Sequence, residues 1–211
     1  MDLLDLVLHL DAHLLQLVRD YGLWVYAILF AIIFAETGFV VTPFLPGDSL
    51  LFVAGAVAAG GALDVHLLVL ALIAAAFLGN SANYAIGRWL GRAVFTREGS
   101  RWLNPAHLAK AHAFYERHGG KAVVLSRFLP IVRTYIPFVA GMAAMSPHRF
   151  SAYNAIGAVA WIALLAYAGY FFGNIPWIRA NLTLLIVGIV AVSLLPLALA
   201  VLRARLARRA A

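Results

Sequence analysis

The chain has 211 residues, 64% of them hydrophobic and 12% charged, with no cysteine and a formal net charge of +7; its mean hydropathy is +0.90. Such a composition lies outside the usual range of soluble domains and fits a single polytopic membrane domain, residues 1–211. The missing cysteines exclude disulfides, thiolate metal sites and a cysteine nucleophile, and in so apolar a chain the basic excess is read as the positive-inside bias of cytoplasmic loops, not as a nucleic-acid surface.

Met1-Asp2-Leu3-Leu4-Asp5 lacks the basic region of a secretory signal, so no cleavage is expected. Residues 1–21 space leucine and valine between Asp2, Asp5, Asp11 and Asp20 at helical intervals, which predicts an amphipathic helix lying at the interface. His9 and His13 share one helical face, but with no third ligand nearby they are read as interfacial polar residues, and no metal is expected. Residues 23–60 are nearly continuously apolar yet are broken at Thr42-Pro43 and Pro46-Gly47, leaving two pieces each barely long enough to span. Broken helices at membrane depth need protein or a water-filled cavity to satisfy their freed backbone. The segment is therefore expected to be a re-entrant hairpin, although two full spans would give the same net topology.

Gly60-Gly61 and Asp64 mark a turn, and residues 66–88 read as a full span. Gly79-Asn80, Asn83-Tyr84, Gly87 and Gly91 lie in and just beyond it. Small residues four apart favour close helix packing and the asparagines can bond across an interface; Asn83 and Tyr84 are also candidates for lining a polar path. Residues 89–121 are basic, with a helix start at Asn104-Pro105, and are assigned to the cytoplasmic face as a surface helix. His107, His112 and His118 lack the spacing of a metal pair. Residues 122–142 are broken by Pro130 and Pro137, with Gly141 near their end, and carry Arg127 and Arg133. Residues 151–172 and 180–202 read as two further spans, and the 203–211 tail is basic.

Loop charge fixes a consistent layout. If residues 89–121 and the tail share the cytoplasmic side, an even number of crossings separates them, and the last two spans supply it. Residues 122–142 must then be a second re-entrant hairpin, entering from the face opposite to the first, with the N-terminus outside and the C-terminus cytoplasmic. The expected fold is an all-α polytopic membrane protein with an inverted repeat, two opposed re-entrant hairpins, an interfacial N-terminal helix and about three full transmembrane helices.

One hairpin brings Glu36 and Asp48, the other Arg127 and Arg133. A central charge costs about 2.5–3.5 kcal/mol on insertion scales, so the four are expected to share a hydrated cavity and partly neutralise one another. Arg127 and Arg133 would face apart on an unbroken helix, but Pro130 between them allows both to turn inward. Guanidinium groups are suited to bidentate phosphate binding, which makes a lipid phosphate a sensible ligand. Glu36 and Asp48 are the candidates for proton exchange. A purely structural acid–base cluster pinning the hairpins is the bland alternative.

These residues resemble the DedA family of bacterial inner-membrane proteins, which share the VTT domain. The resemblance rests on Glu36, the Pro43-Phe44-Leu45-Pro46-Gly47-Asp48 turn, Asn83-Tyr84, Gly87-Arg88, Gly91, His118-Gly119, the run Arg127-Phe128-Leu129-Pro130-Ile131-Val132-Arg133-Thr134, Pro137 and Ala140-Gly141-Met142. It implies opposed re-entrant hairpins, an acid pair at Glu36 and Asp48, an arginine pair at Arg127 and Arg133, and translocation of lipids such as undecaprenyl phosphate, with dependence on the proton motive force and residence in the bacterial inner membrane. Thr134 joins Asn83 and Tyr84 as a candidate polar lining. The expected partners are a phosphate-bearing lipid, the bilayer and protons, with no nucleic acid and no cofactor; the oligomeric state is open. An ion or drug exchanger using the same charges, and a non-transporting scaffold, stand as alternatives. An intramembrane enzyme is disfavoured because Ser49, Ser81, Ser126, Ser146 and Ser151 have no evident histidine partner at depth.

Overall fold

A computed structural model describes residues 10–39, 47–90, 112–113, 115–129, 132–173, 175–180 and 188. All regular elements among the described residues are helical: α1 Leu10–Tyr21, α2 Trp24–Gly38, α3 Gly47–Ala59, α4 Val65–Leu90, α5 Lys121–Leu125 followed by a 3-10 turn Ser126–Phe128, α6 Tyr135–Met142, α7 Pro147–Phe172 and α8 Pro176–Ala180. Two of them, α4 and α7, are long and apolar enough to cross a membrane; at 1.5 Å per residue each runs about 39 Å, against a hydrocarbon core of roughly 30 Å. The apolar helices α2 and α3 reach only about 22 and 20 Å by the same rise.

Local sequence sets the ends of these helices. Gly22 takes a left-handed φ of 52° and its amide closes α1 on the Val18 carbonyl. The Asp64 carboxylate accepts the Leu67 amide at 2.7 Å, capping the start of α4. Pro147 stands in the first turn of α7, where its missing N–H costs nothing. The last turn of α6 closes with Ala144 bonding back to Gly141 and Met145 to Ala140, a Schellman motif that puts Ala144 at φ 54°.

α4 and α7 lie antiparallel at the centre. Tyr84 stacks on Phe150, Asn80 bonds to Asn154, and at the far end His66 meets the Tyr167 hydroxyl at 2.9 Å. The short helices cover them in an interleaved pattern. α2 runs beside the first half of α4 in the same direction, with the Tyr26 hydroxyl on the Asp64 amide and Gly38 against Gly79. α3 lies on the last third of α7, where Gly55 abuts the Ala166 carbonyl and Gly169 abuts Phe52. α5 lies on the first half of α7, with Gly120 against Tyr153 and Val124 against Gly157, and α6 lies on the last third of α4, with Phe138 against Gly87 and Gly141 against Tyr84. Each long helix thus carries one short helix from each half of the chain, and the glycines mark where backbones meet too closely for a Cβ.

The larger core lies among α1 to α4 and α7 and includes Leu29, Ile33, Leu51, Leu68, Leu72 and Ile162. A smaller one joins α5 and α6 to Tyr84 and Phe150. Leu70, Leu78, Ile156, Val159 and Leu164 face outward, and Trp24, Trp89 and Trp177 are exposed near helix ends. α1 is tied down by Leu14, which is buried, with Leu17 and Val18 packed beside it.

The span expected at 66–88 is α4, and that expected at 151–172 begins earlier, at Pro147. Residues 1–9, Pro43, Pro46, Pro130, most of 89–111, and the 180–202 and 203–211 segments apart from Ala180 and Gly188 lie outside the described residues.

Candidate functional site

The ends of α2 and α3 meet the ends of α5 and α6 midway along α4 and α7. Glu36, in the last turn of α2, is 1% exposed although it is a carboxylate. Asp48 stands in the first turn of α3, where a helix N-terminus favours negative charge. Gly47 before it has no side chain because a Cβ there would overlap the Glu36 carboxylate. From the other half, Arg127 lies in the 3-10 turn after α5, and Arg133 lies in the turn before α6. Pro137 and Gly141 are buried within α6.

The two arginines are held in different ways. Arg133 makes ion pairs with both acids, one Nη to Glu36 and the other to Asp48 at 3.0 Å. Arg127 is 4% exposed and has no carboxylate partner among the described residues; its Nη2 donates to Asn154 Oδ1 at 2.8 Å and to the Ala76 carbonyl at 3.2 Å. Trp161 lies between them, with the Arg127 and Arg133 guanidinium carbons 5.7 and 5.3 Å from its ring, and its Nε1 donates to Asp48 at 2.9 Å. Arg133 and Arg127 both reach the centre, as expected from a break between them. The sequence treats them as an equivalent pair, however, and the fold does not.

Asn154 is the residue that linear reading passed over. Fully buried in α7, it accepts from Arg127 and from Asn80, and donates to the Phe77 carbonyl and Ser81. Trp161 lies in the same expected 151–172 span, where no role attaches to it from sequence either. The available signal for Asn154 was a polar residue deep in an apolar helix, which by default marks function or buried pairing. Asn83 donates to the Thr37 carbonyl at 3.4 Å and the Thr134 carbonyl at 2.8 Å, tying the tips of the two halves together. Tyr84 bonds instead to the Met145 carbonyl, away from the charges, with Arg88 behind it. Thr134 is buried beside the arginines, and its Oγ1, like Arg127 Nε, has no hydrogen-bond partner among the described residues.

Glu36, Thr37, Asn80, Arg127, Arg133, Thr134 and Trp161 enclose a cavity of about 10 Å³. That is room for one water at most, far smaller than the shared hydrated cavity expected from four charges.

The profile of the VTT domain matches residues 45–171. The chain is 56% identical to Protein DedA of Escherichia coli K12 over 212 aligned residues, covering 99% of this chain and 97% of that one. It is 39% identical to the inner membrane protein YqjA of the same strain over 72% of this chain and 69% of the relative. It is also 42% identical to the uncharacterized membrane protein ML0287 of Mycobacterium leprae, over 78% of this chain and 74% of the relative. No solved structure matches.

Proposed function

The chain belongs to the DedA family of VTT-domain membrane proteins, and on that premise we propose that it carries a phosphate-bearing lipid between the leaflets of the bacterial inner membrane with coupled movement of protons. α2 with α3, and α5 with α6, act as re-entrant hairpins entering from opposite faces, and the basic Arg88 end of α4 faces the cytoplasm. The short lengths of these helices and their interleaved packing on the two long ones support this reading. So does the meeting of their tips at a set of charges, the pattern of inverted-repeat transporters.

The observation that carries the proposal is the unequal pairing of the two arginines. Arg133 is neutralised twice over while Arg127, the more deeply buried, keeps a charge met only by neutral hydrogen-bond acceptors and the Trp161 ring. A phosphate oxygen approaching Arg127 gains a charge-assisted bond with no carboxylate to displace. Drawing Arg133 onto the same phosphate then frees Glu36 and Asp48. With so little water available, charge balance requires a proton on one of them. When the lipid leaves, Arg133 returns to the acids and the proton is released. Lipid occupancy and proton occupancy are thus linked through one side chain.

Vesicle reconstitution tests this against a cation exchanger. Proton flux that appears only with a labelled lipid phosphate, and not with a sodium or potassium gradient in its absence, supports the lipid reading. Cation-driven flux without lipid contradicts it.

A further inference from the structure

A second cleft, of about 820 Å³, opens at the Arg88 end of the molecule, away from the four central charges. Its walls come from the segment before α5, through Tyr115, Gly119 and Gly120, from the close of α6, through Ala144 and Met145, and from the first turns of α7, through His148, Arg149, Tyr153 and Ile156. Both turns at its base use left-handed backbone, Gly119 at φ 56° and Ala144 at φ 54°. The alanine is held there at a cost of about 1–2 kcal/mol, by the α6 cap and by the Met145 carbonyl bonded to Tyr84 and Arg88.

The cleft is two-sided in chemistry. His148 and Arg149 are exposed on its rim, and no carboxylate among the described residues pairs with Arg149. Tyr115 brings a phenol, neutral near pH 7 and able to donate a hydrogen bond, and burial pushes its pKa further up. At the other edge Ile156 begins the outward apolar stripe that continues to Val159. The occupant has to satisfy a cationic rim and an apolar exit together. An inorganic anion uses only the first, whereas an anionic lipid places its headgroup on the rim and its chain along the stripe.

We propose that this cleft is a docking site for the phosphate headgroup of an anionic membrane lipid, separate from the central arginines, where the lipid is held before it enters or after it leaves. The inference rests on the lipid-carrier reading above for its role in transport, but not for binding itself. α7 joins the two sites. Tyr153 and Ile156 line the cleft, while the next residue after each, Asn154 and Gly157, contacts Arg127 on another face of the same turns, and Gly120 packs on Tyr153 from the same segment that carries Arg127. From Arg149 to Trp161 the helix rises about 18 Å, so one headgroup cannot occupy both sites.

The absence of cysteine allows Ala152, which also lines the cleft, to be replaced by a single cysteine bearing a polarity-sensitive fluorophore. In phosphatidylcholine nanodiscs with increasing phosphatidic acid, the expected result is a saturable signal. Arg149→Glu should weaken it roughly tenfold or more, because each cation near an anionic headgroup contributes a factor of about five, while Arg149→Lys should stay within about threefold. Arg133→Ala should leave the titration intact. A signal equal in phosphatidylcholine alone, an Arg149→Glu titration matching the parent, or loss of the signal in Arg133→Ala would overturn the site. An equal response to inorganic phosphate in the buffer would overturn the lipid assignment. If Arg133→Ala still carries lipid while the cleft titrates as described, the central mechanism fails and the docking site stands.

Discussion

Removing the side chain of Asn154 separates a structural role from a functional one. Asn154→Ala deletes a hydrogen bond to the buried Arg127 guanidinium at 2.8 Å, together with neutral bonds to Asn80 at 3.1 Å, Phe77 at 2.9 Å and Ser81 at 3.3 Å. A bond to a charged group contributes about 1.5–3 kcal/mol, and interhelical bonds in membrane proteins average about 0.6 kcal/mol each. The expected loss is therefore roughly 3–5 kcal/mol, measurable as a fall in unfolding free energy in mixed micelles. Asn154→Asp keeps an acceptor in place and supplies the carboxylate that Arg127 lacks. It is expected to hold stability near the parent while abolishing lipid transfer, because the charge reserved for phosphate is consumed. A loss below about 1 kcal/mol in the alanine variant, or full transfer by the aspartate variant, would refute the reasoning.

Close backbone packing gives a second prediction. Gly169→Ala places a Cβ on the Phe52 carbonyl of α3 and should cost about 1–3 kcal/mol. Gly188→Ala, where a Cβ meets nothing within 4 Å among the described residues, should leave the thermal midpoint unchanged or slightly raised. Ala144→Gly relieves a left-handed alanine and should stabilise the protein by about 0.5–1 kcal/mol, read as a higher thermal midpoint. Glu36→Gln removes one of the two acids that hold Arg133, so transfer should continue without its dependence on a pH gradient, as measured in vesicles with and without that gradient.

The charges at the centre were legible because a carboxylate or guanidinium in an apolar run stands out against a cost of several kcal/mol. Gly87 was legible from small-residue spacing, although its contact, Phe138 of α6, was not. The beginning of α7 was missed because Pro147-His148-Arg149 looks like a polar loop; proline in the first helical turn reads the same way in one dimension. The inequality of Arg127 and Arg133 depends on what each meets across the fold, Asn154 and the Ala76 carbonyl for the first and Glu36 and Asp48 for the second, and no local pattern carries that. Asn154 and Trp161 acquire their meaning only when α5 lies on α7 and the ends of α2, α3 and α6 come together beside them. Gly47 needs no side chain for a reason in another helix, the Glu36 carboxylate.

The central claim is that Arg127 and Arg133 jointly take up a lipid phosphate. Its most direct test is the leaflet-to-leaflet rate of a labelled lipid phosphate in proteoliposomes containing the parent protein, Arg127→Gln or Arg133→Gln, each first shown to be folded. The account predicts protein-dependent transfer for the parent and a rate at the level of protein-free vesicles for both variants. Transfer by either variant at the parental rate would contradict it.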